Sequence, residues 1–443
     1  MNPVTPITQW LVGKKRNAQS ESIAALDIGS SKIACFIAKI DDDGPPRVTG
    51  IGHQLAEGMR NGAVANIEAL QNAIGSTVAT AEQMAGETID RVVVNISGAQ
   101  LLSQTVNIEL PLGGREVNDS DLQRIMAQGQ TMVPEDAQGH ALELIHAFPV
   151  SYALDNQRGI RDPIGMIGHA LHAHIHLVSG AFGPVRTLIT AIARCHLEVE
   201  RLIAAPYASG LACLVEDEID LGSLVIDMGA GTTSFAVFFD GHTVHTDGIP
   251  IGGAHVTNDV ARGLTTSLAH AERLKTLYGN AIVSAMDSRE IIDVPQIGEE
   301  TPENANHVPK SHLVNIIQPR IEEIFELVRA RMDKSGFQEV AGRRVVLTGG
   351  ASQLPGVREL AQKVLDKQVR LGRPLRVSRA SGRAKTGFIT GLAEATSGPA
   401  FATTAGLLAA AMQPEQSAGS RFGEFTIGGH KLGRIGHWLK QNM

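Results

Sequence analysis

The stretch AALDIGSSKIACFIAKI, residues 24–40, puts a single carboxylate, Asp27, between two apolar runs, followed at once by Gly29, Ser30, Ser31 and Lys32. As local chemistry this is a hairpin, because Asp-x-Gly is common turn sequence. It is equally a turn able to hold a phosphate chain and its metal, and the stretch alone does not separate the two. A second copy bears on the choice. LGSLVIDMGAGTTSFAVFFDG, residues 221–241, repeats the plan of apolar strand, Asp227, Gly229, Gly231, Thr232 and Thr233, then apolar strand. Small turn residues let backbone approach phosphate oxygens closely, and turn amides form an anion-binding concavity. The two carboxylates suit Mg²⁺ held through its waters.

A third signal is RRVVLTGGASQLPGVREL, residues 343–360, where a strand runs into Gly349 and Gly350 and then into a helix that LPGV helps to start. Paired glycines there leave room for a flat base against the backbone. In AHAERLKTLYG, residues 269–279, Glu272 and Lys275 share a helix face at i, i+3. Each signal alone is weak, whereas their order and spacing are specific. Two phosphate hairpins in two halves, then Gly-Gly after a strand, resemble the actin, Hsp70 and sugar-kinase ATPase superfamily. The expected fold is therefore α/β, actin-like (ribonuclease-H-like) and two-lobed, with Asp27 facing Mg²⁺ and the terminal phosphates of ATP. Lys32 is either a phosphate contact or a polar residue of the second strand.

Further stretches narrow the resemblance. RVVVNISGAQ (91–100), HAFPVSYALDNQRGIRDPIGMIG (146–168) and RLIAAPYASGLACL (201–214) are similar to the bacterial cell-division family FtsA, over roughly residues 22–412. The resemblance implies subdomain 1A in three parts, 22–102, 186–215 and a closing helix in 391–412. It implies an inserted α+β subdomain 1C over 103–185, ending near a turn SGAFGP. Subdomain 2A would cover 216–262 and 340–390, and 2B 263–339. Adenosine contacts would carry over to Glu272, Lys275, Gly349 and Gly350. Phosphate contacts would fall on Gly29, Ser30, Ser31, Gly229, Gly231, Thr232 and Thr233. Family partners would be tubulin-like FtsZ through 2B, other copies of the chain in a polymer, and later division proteins through 1C, on the cytoplasmic face of the inner membrane at the division site.

One departure bears on mechanism. In hydrolytically active bacterial actins, acids follow the RLI of this motif and position the attacking water, but here Ala204 and Ala205 stand there. Alanine neither orients a water nor accepts a proton. Slow or undetectable hydrolysis is expected, with Asp227 as the one remaining weak candidate base.

The tail differs in composition from the body. FATTAGLLAAA (401–411) reads as an apolar helix closing the first half, and residues 413–430 are rich in Gly, Ser and Gln and read as a linker. In KLGRIGHWLKQNM (431–443), Leu432, Ile435, Trp438 and Leu439 fall within an arc of about 120° on a helix, opposite Arg434, His437 and Lys440. Such a short basic helix reads as an interfacial anchor on anionic lipid, where one copy is marginal and a polymer adds the rest. FtsA-like proteins end in a comparable helix. The N-terminal residues 1–21, with Trp10, Lys14, Lys15 and Arg16, read as a basic extension that is disordered or a second membrane contact.

Composition excludes several classes. The 443-residue chain carries a net charge of −7 and so no nucleic-acid-like basicity. Cys35, Cys195 and Cys213 lack pairing or metal spacing and read as core thiols of a reducing compartment. No apolar run is long enough to span a bilayer, and Pro3 and Pro6 interrupt any signal-peptide core, so a cytosolic protein is expected. HALHAHIHLV (169–178) places His172, His174 and His176 on one strand face; a half-exposed sheet explains it more simply than a metal site. QPRIEEIFELVRARMDK (318–334) reads as an amphipathic helix, and PQIGEETPENANHVPK (295–310) as a polar loop. Two alternatives to the FtsA reading are a pilus-assembly actin homologue of the PilM type, which shares the insert but lacks such a tail, and a soluble ATPase or kinase. A kinase needs a catalytic base near a sugar pocket, which the sequence does not offer.

Overall fold

The computed structural model describes residues 22–40, 46–97, 101–133, 135, 139–298, 305–375 and 389–413. The basic extension, most of the linker and the terminal amphipathic segment lie outside them.

The chain opens with the antiparallel strands β1 (Ser22–Ile28), β2 (Lys32–Lys39) and β3 (Arg47–Leu55), followed by the small hairpin β4 (Met59–Arg60) and β5 (Ala63–Val64). β1 and β2 are apolar at nearly every position because helices or other strands cover both sheet faces. Helix α1 (Ile67–Ala85) starts where the Asn66 side chain accepts from the Glu68 and Ala69 amides, and stops at Gly86 in the left-handed region. It crosses back to β6 (Arg91–Ile96), parallel to β1.

The insert occupies the next crossover. β7 (Leu101–Glu116), α2 (Asp119–Gln130), β8 (Leu142–Leu154), β9 (Gln157–Ile160) and β10 (Ile167–Ala181) form a four-stranded antiparallel sheet in the order β7-β10-β8-β9, with α2 packed on it. The expected turn at SGAFGP is absent: Gly180 still pairs with Leu101 and Glu143, and α3 (Phe182–Ala193) begins directly after the strand. Then come β11 (Glu198–Ala204), parallel to β6, and α4 (Ala205–Cys213).

After α5 (Glu216–Leu221), the second lobe repeats the first. Strands β12 (Ser223–Met228), β13 (Thr233–Phe239) and β14 (His242–Ile249) form an antiparallel meander. The crossover then carries α6 (Gly253–Gly263), α7 (Leu268–Tyr278), the pair β15 (Ile291–Val294) and β16 (Asn306–Pro309), and α8 (Lys310–Ser335). β17 (Arg344–Thr348), α9 (Val357–Leu365) and β18 (Gln368–Leu371) complete it. The sheets read β3-β2-β1-β6-β11 and β14-β13-β12-β17-β18, the same order and the same parallel and antiparallel pairing. The repeat seen in the two hairpins thus extends to whole lobes.

Ile321, Ile324, Phe325 and Val328 of α8 are buried, as the amphipathic pattern requires. The polar loop expected over 295–310 ends instead in β16, whose Asn306–Pro309 pair with Ile291–Val294. The chain returns to the first lobe slightly earlier than residue 391, since Val48 donates to the Thr390 carbonyl and Thr390 to that of Pro46. Helix α10 (Ala402–Met412) then packs on α4 and β1. Cys35 and Cys213 are core thiols, whereas Cys195 is half-buried. No helix among the described residues is long and apolar enough to cross a membrane.

Candidate nucleotide cleft

The matching hairpins face each other across the lobes. In each, the turn is closed by the same bond: Gly29 N–H to the Lys32 carbonyl at 2.9 Å, and Gly229 N–H to the Thr232 carbonyl at 3.0 Å. Asp27 lies opposite Ala34 in the first pair, and Asp227 opposite Ser234 in the second. The turns also meet, since the Ser30 hydroxyl accepts from the Gly62 amide at 3.0 Å and lies beside Gly231.

Between them opens a cavity of about 540 Å³, within the roughly 300–1,000 Å³ range of small-molecule sites. Asp27, Gly29, Ser30, Ser31, Lys32, Asp227, Gly229, Gly231, Thr232, Glu272, Lys275, Gly349 and Gly350 all line it. Thr233 does not. It is fully buried and its hydroxyl donates to the Ile251 carbonyl at 2.8 Å. Successive strand residues face opposite sides, so Thr232 and Ser234 look into the cavity and Thr233 away from it.

Both carboxylates are buried and held by neutral donors. Asp27 accepts from Asn95 Nδ2 at 2.9 Å and from Thr404 Oγ1 at 2.8 Å. Asp227 Oδ2 accepts from Ser209 Oγ and Thr403 Oγ1, each at 2.8 Å. Burial pushes both carboxyls above the ordinary range, while Lys32 and the hydroxyl donors oppose it; for Asp227, the Asp27 charge adds to the upward push. Lys32, the first residue of β2, also lines the cleft. Its Nζ donates to the Ala400 carbonyl and sits 3.5 Å from the centroid of the Phe401 ring. Burial lowers its pKa, and Asp27 and Asp227 pull the other way.

On the α7 side, Lys275 Nζ bonds Glu272 Oε2 at 2.6 Å and Thr257 Oγ1 at 2.8 Å. Opposite them, Gly349 has φ +86°, and a Cβ there would lie 2.4 Å from Asp227 Oδ1, so only glycine fits the turn after β17. Gly350 begins a short 3₁₀ turn, Gly350–Gln353, with open space around its Cα. Ala205 lies on the cleft wall, with no side chain able to hold a water.

The donor set fits Mg²⁺. One oxygen of Asp227, Oδ1, accepts no hydrogen bond from a described residue, and both carboxylates line the cleft with acceptor capacity to spare. Oxygen-only ligands with room for waters are what Mg²⁺ prefers.

Sequence reading missed Asn95, Ser209, Thr403 and Thr404. Asn95 carried a signal, being the one amide in the apolar run RVVVNI, where a buried polar group needs a partner. It accepts from the Ile28 amide at 2.7 Å as well as binding Asp27. The His172, His174 and His176 expectation needs correcting at one position. His176 is fully buried, donating from Nδ1 to the Thr243 carbonyl at 2.8 Å and accepting at Nε2 from Ser103 Oγ at 2.7 Å. That strand face is covered there by β14 instead of water. No metal-holding cluster of histidine, cysteine and carboxylate occurs among the described residues.

Comparison with known proteins identifies the family. The family described as "SHS2 domain inserted in FTSA" matches residues 98–179, the insert, and "Cell division protein FtsA" matches residues 224–406. The cell division protein FtsA of Agrobacterium fabrum (strain C58) is 40% identical over 440 residues, covering 96% of this chain and 95% of that protein. That of Pseudomonas aeruginosa is 33% identical over 427 residues (95% and 98%), and that of Escherichia coli K12 30% over 426 (95% and 96%). Among solved structures, a chain of the PilM–PilN type IV pilus biogenesis complex superposes with a TM-score of 0.61 at 17% identity, covering 88% of this chain and 99% of that one; it shares the actin-like fold. With an actin-like fold, the family's insert, and relatives 30–40% identical over nearly all their length, this chain belongs to the FtsA family of cell-division proteins.

Proposed function

We propose that the chain binds ATP with Mg²⁺ in the cleft between its lobes, polymerises on the cytoplasmic face of the inner membrane, and there anchors FtsZ filaments at the division septum. The observation that carries the nucleotide part is the convergence of two matching hairpins, with Asp27 and Asp227 facing one cavity that Gly349 and Gly350 also line. ATP acts in this reading as a conformational ligand with slow turnover, because Ala205 stands on the cleft wall where an acid would hold water. Glu272 and Lys275 contact the adenosine.

FtsZ is engaged through the 263–339 unit. Leu277, Met286 and Ile291 are exposed apolar side chains there, a composition suited to a partner surface. The insert serves later division proteins. Membrane attachment falls to Leu432, Ile435, Trp438 and Leu439, with Arg434 and Lys440 towards anionic headgroups.

Co-sedimentation with anionic vesicles, with and without ATP and Mg²⁺, tests the assembly as a whole. Intact protein should pellet, more so with ATP, while a chain truncated after Ser420 and the variant Trp438→Glu should stay in solution. Equal pelleting of all three would remove the tail as the anchor.

A further inference from the structure

One short segment touches three of the charged side chains that line the cleft, Lys32, Asp27 and Asp227. The Ala400 carbonyl and the Phe401 ring hold Lys32, Thr403 holds Asp227, and Thr404 holds Asp27. The two carboxylates come from different lobes, whereas the two threonines are neighbours in the first turn of α10. Adjacent residues on a helix point about 100° apart, which lets one turn reach both hairpins at once. Thr403 is further fixed by Ser209 of α4, whose hydroxyl lies 2.9 Å from its own.

Thr404 is fully buried and Thr403 nearly so, in a helix otherwise made of Ala, Gly, Leu and Met. Apolar residues would satisfy the packing of such a helix, and a buried hydroxyl costs free energy unless it is bonded. Each of these two hydroxyls ends on a carboxylate oxygen. Asp227 takes both of its donors on Oδ2, which leaves Oδ1 without one, while Asp27 takes one donor on each oxygen. That arrangement orients charges towards a ligand in the cleft.

We propose that Thr403 and Thr404 are positioning residues for a divalent cation, acting by fixing the rotation and mutual placement of Asp227 and Asp27 across the lobe boundary. This rests on the ATP–Mg²⁺ reading of the cleft. A carboxylate free to rotate must be ordered when the ion arrives, so loss of either hydroxyl weakens the metal step more than the contacts made by base and sugar.

The test is an ATP-binding titration of the full chain at varied Mg²⁺ and, separately, in EDTA, for Thr403→Val, Thr403→Ser, Thr404→Val and Thr404→Ser. Loss of one charge-assisted bond should raise the Mg²⁺ concentration for half-maximal binding about tenfold in the valine variants, leave the EDTA affinity within about twofold, and be restored by serine. If a valine variant does not fold, Thr→Ala at the same position carries the same expectation. The proposal is overturned if the Mg²⁺ midpoint is unchanged, if the EDTA affinity falls in parallel, or if serine fails to restore it. ATP binding by the wild-type chain with unaltered variants removes only this proposal; absence of ATP binding by the wild-type chain removes the nucleotide reading and this one with it.

Discussion

Asn95 shows at residue scale how the cleft is built. Its amide accepts from the Ile28 N–H and donates to Asp27, so it ties the end of β6 to the turn after β1. Asn95→Leu leaves a buried N–H and a buried carboxylate oxygen without that partner. The expected cost is about 2–4 kcal/mol, read as a lower urea midpoint with unchanged slope. A midpoint equal to wild type would mean that water replaces the amide. Most cleft residues were legible in the sequence because a carboxylate at a strand end, followed by glycines and hydroxyls, is strange chemistry for an ordinary core. Thr233 was misplaced because two adjacent threonines look alike in a string, while a strand gives them opposite faces. Thr403 and Thr404 escaped notice because their helix reads as plain apolar packing, and only its position beside two carboxylates gives the hydroxyls a purpose.

Two elements carry predictions of their own. Helices α4 and α10 cross where a Cβ on Gly406 would lie 1.7 Å from the Ala208 carbonyl oxygen. Alanine in place of a helical glycine gains up to about 1 kcal/mol in propensity. Overpacking against fixed backbone commonly costs about 1–3 kcal/mol and here exceeds that gain. Gly406→Ala should therefore lower the melting temperature, and a rise would show that the helices separate easily. The second element is β10 with its neighbours. His146 accepts at Nε2 from the Ala204 amide at 2.9 Å, and His176 bridges Ser103 and Thr243. Burial depresses His146 to about 3 and His176 to about 4. Both are neutral when folded, whereas the unfolded chain takes up protons near pH 6.5, so stability is full above about 6.5 and is lost as pH falls towards 4. Unfolding at pH 7, 6 and 5 should show a declining midpoint that flattens in His176→Phe; parallel profiles for the two proteins would contradict this. The period-two histidines were visible in sequence, but what covers them was not, because β14 lies some seventy residues further along and belongs to the other lobe.

For the whole molecule, the insert spans both lobes. Leu101, Ile145 and Phe148 belong to the core of the first lobe, while Val150 packs on the core of the second and Arg161 pairs with Asp240 at its β13–β14 turn. A change in lobe separation would thereby be felt by the insert as well as by α10. The duplicated strand order was foreshadowed by the duplicated hairpin, whereas the bridging of the insert depends on contacts between distant segments and had no local signal. The central functional claim is that the cleft takes ATP with Mg²⁺. The most direct measurement is an equilibrium titration of ATP with Mg²⁺ into the full chain, beside Gly350→Leu, at a cleft-wall position where an added Cβ meets no atom within 4 Å. The account predicts saturable one-to-one binding by the wild-type chain and binding at least about tenfold weaker by Gly350→Leu at an unchanged melting temperature. No saturable binding by the wild-type chain, or equal affinity in the variant, would contradict it.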